Sequence, residues 1–229
     1  MQLVRYMAAA ALAVAVTAVP ARAQDVDALL RRAADTYAAS RTAKARFEQT
    51  ISNPMTGSTV MARGELQRQE PNKFDIRFTD PAGDRIVADG THLWVYVPST
   101  NPGQVIKMPL AATAGAVPMD LGAQFFTKPT TRFTVKDAGI AKVDGRATRA
   151  LVLTPKQAGE AFTRATVWLD EKDGTLRQFE MVDGMGLTRL VRILGLTVNT
   201  PVKASTFTFR PPAGVRIVDQ QALLGGGRP

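Results

Sequence analysis

The 229-residue chain contains no cysteine and a single histidine, His92. Without thiols there are no disulfide staples, thiolate nucleophiles, cysteine zinc sites or iron–sulfur clusters, and one imidazole excludes multi-histidine metal centres. Aromatic residues make up only 7% of the chain, too few for a base-stacking platform. There is no phosphate-cradling G-x-x-x-x-G-K, no dinucleotide fingerprint and no G-x-S-x-G elbow. His92 stands beside a hairpin signal without the partners a catalytic base requires, and reads as a surface strand residue. The sequence therefore nominates no catalytic residue, metal or cofactor. Carboxylates drawn together from distant positions stay open as the remaining route to an enzyme.

Long apolar runs are missing beyond the N-terminus. The first 23 residues carry Arg5, the thirteen-residue run Met7–Val19, Pro20, and Ala21-Arg22-Ala23. This is the pattern of a signal peptide with an A-x-A cleavage site, and the run is short for a membrane span, which needs about 20 residues. The expectation is an exported, soluble periplasmic monomer comprising residues 24–229 as one domain, cut near Ala23. No cysteine follows the cut to take a lipid anchor. Losing Arg5 and Arg22 lowers the formal charge from +9 to +7. The remaining Lys and Arg residues are scattered along outward strand positions, which reads as a solvated face, with steering toward an acidic partner or anionic membrane surface second. Export and the absence of a basic run argue against nucleic acid.

What is present is 45% apolar and 21% charged sequence, enough for a globular core. Asp25 is placed to cap a helix in which Val26, Leu29, Leu30, Ala33 and Tyr37 recur at helical spacing. From Thr42 the period becomes two. Ala43, Ala45, Phe47, Gln49 and Ile51 share one phase, as do Val60, Ala62, Gly64 and Leu66, and then Phe74, Ile76 and Phe78 against Lys73, Asp75 and Arg77. Hairpin signals stand at Asp89-Gly90, Asp144-Gly145, Asp173-Gly174 and Asp183-Gly184. Further strands are predicted at Arg85–Ala88, Thr91–Val97, Arg132–Lys136, Ala147–Leu153, Ala165–Leu169, Leu176–Met181, Leu187–Leu194 and Phe207–Phe209. Segment Met108–Lys128 breaks the period and reads as short helices or a mobile flap.

Ten or eleven antiparallel strands with a leading helix and a flap predict a mainly β fold with accessory helices, a curved sheet or incomplete barrel whose concave face needs cover. Periodicity does not distinguish side chains that fill the interior from side chains that line an apolar cavity. Both readings stand at this point.

Several segments carry a resemblance. Phe47-x-Gln49, Gly64-Glu65-Leu66 followed by Pro71 and Phe74, Val87-Ala-Asp-Gly90-x-x-Leu93-Trp94-x-Tyr96-x-Pro98, Leu153-Thr154-Pro155, and Phe207-x-Phe209-x-Pro211-Pro212-x-Gly214-Val215 resemble, in order and spacing, the LolA family of periplasmic outer-membrane lipoprotein carriers. The resemblance implies an unclosed half-barrel with a helical lid. Its apolar cavity would hold lipoprotein acyl chains received from an inner-membrane ABC transporter and passed to an outer-membrane receptor.

On that resemblance Phe47, Leu66, Phe74, Ile76, Phe78, Trp94 and Tyr96 would contact lipid. Leu29, Leu30, Met119, Leu121 and Ala123 would form the lid. Family members place an arginine just before the proline of the third strand, donating to the lid; here that position is Glu70, which would govern gating. A carboxylate cannot donate to carbonyls, and Arg68 lies two residues away, so looser closure or other contacts are expected. A related half-barrel binding another exported lipid or glycolipid, or serving as a sensing or interaction module, is the alternative.

Overall fold

In the computed structural model, which describes residues 21–113 and 121–219, each of the four Asp-Gly pairs joins two consecutive antiparallel strands. At the second pair both Asp144 and Gly145 adopt positive φ, 48° and 77°, the backbone that a two-residue turn between right-twisted strands demands. The strands are β1 (Thr42–Asn53), β2 (Ser58–Gln69), β3 (Lys73–Asp80), β4 (Ala82–Asp89), β5 (His92–Tyr96) and β6 (Gln104–Pro109), then β7 (Phe133–Val143), β8 (Arg146–Pro155), β9 (Arg164–Asp170), β10 (Leu176–Val182), β11 (Thr188–Val198) and β12 (Arg216–Asp219). They form one open sheet in the order β12-β6-β5-β4-β3-β2-β1-β11-β10-β9-β8-β7. The chain runs outward from β1 to β6, then returns from the opposite edge so that β11 pairs with β1.

The mainly β, unclosed architecture is as the sequence predicts; the strand list differs in three places. Strand β6 is absent from the sequence-based list, because Gln104-Val-Ile-Lys-Met-Pro does not alternate cleanly. Phe207–Phe209 is not a strand: Ala204–Phe207 is a 3-10 turn, and the Pro211-Pro212 that follows lacks the N–H groups a ladder needs. The last strand is instead β12, paired parallel to β6 in a sheet otherwise antiparallel. Helix α1 spans Ala21–Ala38, so Asp25 lies inside it and does not cap it; Ala, Arg and Gln are strong helix formers, and the helix continues through them.

In the irregular segment the described residues form a 3-10 turn at Leu110–Thr113 and α2 (Leu121–Phe126), and α3 (Pro129–Arg132) follows it. Of the lid residues, Leu121 and Ala123 belong to α2, while Met119 lies outside the described residues. Helices α1 and α2 pack on the concave face of β7–β11. There Leu29, Leu30 and Ala33 meet Phe125, Phe126, Leu151, Val167 and Phe179 in the larger core. Phe125 is wholly buried, its ring 5.4 Å from that of Phe179 and 5.9 Å from that of Phe162.

Gly174 permits the helix to come this close. Its φ is +73°, and a Cβ there would lie 2.8 Å from the Ala33 backbone nitrogen. Arg32 and Thr36 donate to the Glu171 and Asp173 carbonyls at 3.0 and 3.1 Å, fixing α1 over the same turn. A second, smaller core of Phe74, Ala88 and Leu93 occupies β3–β5. Among the described residues no helix is long and apolar enough to cross a membrane.

Candidate functional site

Between the two cores the described residues leave part of the concave face unfilled. A cavity of about 240 Å³ lies there. Its floor is β1 and β11, where Ala43, Ala45, Phe47 and Gln49 face the same side as Val198, Leu196, Ile193 and Val191, their cross-strand partners. Leu66, Ile76, Phe78 and Ile86 form one wall, and Phe179 and Met181 the other. Residues directly opposite across a ladder share a face, so the phase that begins at Ala43 continues across the sheet.

Small residues on β1 and β2 make the space. Gly64 pairs with Phe47, and a Cβ at Gly64 would lie 2.4 Å from the Arg77 carbonyl and 2.8 Å from the Phe47 ring. Glycine thus lets the Phe47 ring lie flat over β2, edge-on to Phe78 at 5.7 Å. At the other end Leu196 and Val198 remain 37% and 39% exposed, so the apolar floor opens to solvent.

Four of the seven residues expected in the groove are therefore brought together: Phe47, Leu66, Ile76 and Phe78. Phe74 is adjacent but sealed, 8% exposed in the smaller core. Trp94 and Tyr96 are on the opposite face of the sheet. Trp94 stands opposite Val87, which stands opposite Asp75, while Leu93 takes the phase of Ala88 and Phe74.

Their rings pack against Phe209 at 5.6 and 6.1 Å, beneath the C-terminal segment. That convex face also holds Asp75, whose fully buried carboxylate accepts from Arg77 and Arg85 at 2.6 Å each. Trp94 Nε1 donates to Asp89, which also accepts from the Thr91 and His92 backbone and the Thr91 hydroxyl. Burial acts to raise the Asp89 pKa, but these hydrogen bonds outweigh it and hold the carboxyl at about 2. The Asp-Gly…Trp motif thus locks a hairpin rather than the groove.

The clasp at the α1 end of the cavity is Arg68. Its Nη2 donates to the Ser40 carbonyl at 2.6 Å, its Nη1 to the Tyr37 hydroxyl at 2.7 Å and to Glu70, and its guanidinium lies 4.4 Å from the Tyr37 ring centroid. Two residues along a strand return to the same face, so the displacement from position 70 to 68 keeps the guanidinium on the cavity side. Glu70 does not reach a carbonyl; it is the half-exposed ion-pair partner of the group that does. Burial lowers the Arg68 pKa and Glu70 opposes it. Leu29 and Leu30 serve the larger core under α1.

The β11 residues Arg189, Val191 and Ile193 join the site without having been expected there. Their alternation is visible in the sequence, but that β11 lies beside β1 is not.

The family model for the outer membrane lipoprotein carrier protein LolA matches residues 38–210. The chain belongs to the LolA family. An outer-membrane lipoprotein carrier protein of Dechloromonas aromatica (strain RCB) is 29% identical over 181 residues, covering 79% of this chain and 83% of that protein. One from Methylobacillus flagellatus is 29% identical over 179 residues, covering 77% and 82%. Among solved structures, an uncharacterized conserved protein from Thermus thermophilus superposes with a TM-score of 0.54 at 13% identity, covering 86% of this chain and 99% of that one, a likeness of fold alone. The LolA match takes in all the strands around the cavity and begins at the last residue of α1.

Proposed function

We propose that this protein carries lipoproteins from the inner to the outer membrane, holding their acyl chains in the groove between the two cores without any covalent step. The observation that carries the reading is an apolar, partly open cavity of about 240 Å³ in a LolA-family chain. Apolar cavities of about 150 Å³ already stay dry and take up benzene, so this one accepts a stretch of acyl chain as it stands. Each buried methylene returns about 0.8 kcal/mol. Eight of them give about 6 kcal/mol, enough to hold cargo in water and little enough for a competing site to remove it.

Phe47, Leu66, Ile76 and Phe78 contact the chain on this reading, and α1 and α2 act as the cover. Loading comes from an inner-membrane ABC transporter and unloading goes to an outer-membrane receptor. Residues 1–23 are the signal peptide, and the carrier works as a periplasmic monomer. Adding purified protein to membranes that retain lipoprotein tests this: a soluble one-to-one complex forms with wild type and is lost with Ile76→Asp, which places a carboxylate in the groove. A folded wild-type protein that extracts no lipoprotein contradicts it.

A further inference from the structure

The β1–β11 floor of the groove carries a cation that pairs with no side chain among the described residues. Arg189 sits on β11 in the apolar phase with Val191 and Ile193, opposite Ile51 on one side and Met181 on the other. It lines the cavity at the end away from Arg68. Arg68 is held by a carbonyl, a hydroxyl and a carboxylate. The Arg189 guanidinium makes no hydrogen bond and no ion pair within 4 Å among the described residues. Its charged neighbour is Asp183, whose Oδ1 is already engaged by the backbone N–H groups of Met185 and Leu187. Burial lowers the Arg189 pKa and Asp183 opposes it, and the guanidinium stays protonated.

Two further side chains nearby keep a polar atom without a partner among the described residues. Gln49 lies one step along the same face from Ile51, and its amide has no hydrogen-bond partner among the described residues. Gln124 donates to the Met181 sulfur at 3.3 Å, while its Oε1 is buried and unpaired. A guanidinium taken partly out of water and left unpaired costs free energy, and an arginine is not needed where its neighbours are Val191 and Met181. A bound acceptor oxygen removes the penalty.

We infer that Arg189, with Gln49 beside it, binds the oxygen-bearing head of the acyl ligand, a carboxylate or phosphate oxygen or an ester or amide carbonyl. The acyl chain then runs along the β1–β11 floor toward Arg68. This rests on the reading that the groove holds acyl chains, and it adds a polarity to the groove: head at Arg189, tail toward α1.

Three fluorescent polyene probes of equal chain length test it: a free acid, its methyl ester, and the parent hydrocarbon. Wild type is expected to bind in the order acid, ester, hydrocarbon, with about tenfold or more between the first and last, the range for a hydrogen bond to a charged group. Arg189→Met should erase the preference among the three probes, and Arg189→Lys should retain part of the preference for the acid. A charged head is indicated if only the acid is favoured over the hydrocarbon, and a carbonyl if acid and ester are favoured alike. Because the Arg189 guanidinium has no partner among the described residues, the methionine variant should melt with wild type, which thermal unfolding checks. Equal binding of all three probes to wild type, or an unchanged preference in Arg189→Met, overturns the inference and leaves the carrier reading intact. Failure of wild type to bind any probe overturns both.

Discussion

Strands β8–β10 and strands β2–β4 alternate apolar and polar residues in the same way, yet Leu151, Val167 and Leu169 are wholly buried while Leu66, Ile76 and Ile86 stay half-exposed. Over the first group lie α1 and α2, whose Leu30 and Phe125 complete a layered core. Over the second, among the described residues, the concave face carries the small cluster around Phe74, while on the other side the C-terminal segment seals Trp94, Tyr96 and Asp75. One half of the sheet buries its inner face with its own chain. The other keeps part of that face available, and the groove lies at the junction.

The contrast predicts how single substitutions divide between stability and binding. Phe125→Ala, in the filled half, should lose about 3–5 kcal/mol through cavity formation, which lowers Tm by roughly 10 °C in a domain of this size; calorimetry measures it. Phe74→Ala should fall near the lower end of the same range, because its ring is sealed against Ala88 and Leu93. Chemical denaturation that shows no loss would place Phe74 on the groove wall instead.

Arg68→Met removes charge-assisted hydrogen bonds to Ser40 and Tyr37, so about 1.5–3 kcal/mol is expected, together with faster entry of an apolar fluorescent probe as the end of α1 loosens. Equal entry rates would show that Arg68 holds the helix without gating the groove.

Asp89 gives the pH dependence. Its folded pKa of about 2 lies below the ordinary aspartate value of about 3.9, so the folded state binds fewer protons across that window. The stabilisation is complete above about pH 4 and lost as pH falls toward 2. With solvent screening it amounts to about 1–2 kcal/mol, and it should disappear from the acid-unfolding profile of Asp89→Asn. The smallest effect on stability belongs to Phe78→Ala, below about 1 kcal/mol, since its ring borders a space already open; the loss should appear in acyl-probe affinity.

Much of this is legible in the sequence. Alternation and four Asp-Gly turns specify an antiparallel, mainly β fold; one shared phase puts Phe47, Leu66, Ile76 and Phe78 on a common face, and the family resemblance, not the phase, names them as groove residues. Trp94 and Tyr96 fall on the other face because β5 is apolar in both phases: Leu93 and Val95 compete with the aromatics for the interior, and only the ladder to Val87 and Asp75 decides. The β11 wall escapes a sequence reading because its pairing with β1 joins Ala43 to Val198 across the length of the domain, and no local pattern encodes that. Arg68 lies two positions from the expected donor, and a strand repeats every two residues, so the displacement that argues against it in the sequence costs it nothing in the fold.

Native mass spectrometry with a triacylated lipopeptide and the same peptide without its acyl chains tests most directly whether the junction of the two halves is the cargo site. A one-to-one complex with the acylated peptide alone, abolished by Ile76→Asp and kept by an exchange on the convex face such as Lys107→Gln, is the predicted result. Binding of both peptides alike, or acylated-peptide binding that survives Ile76→Asp in a folded protein, would place the ligand elsewhere and contradict the account.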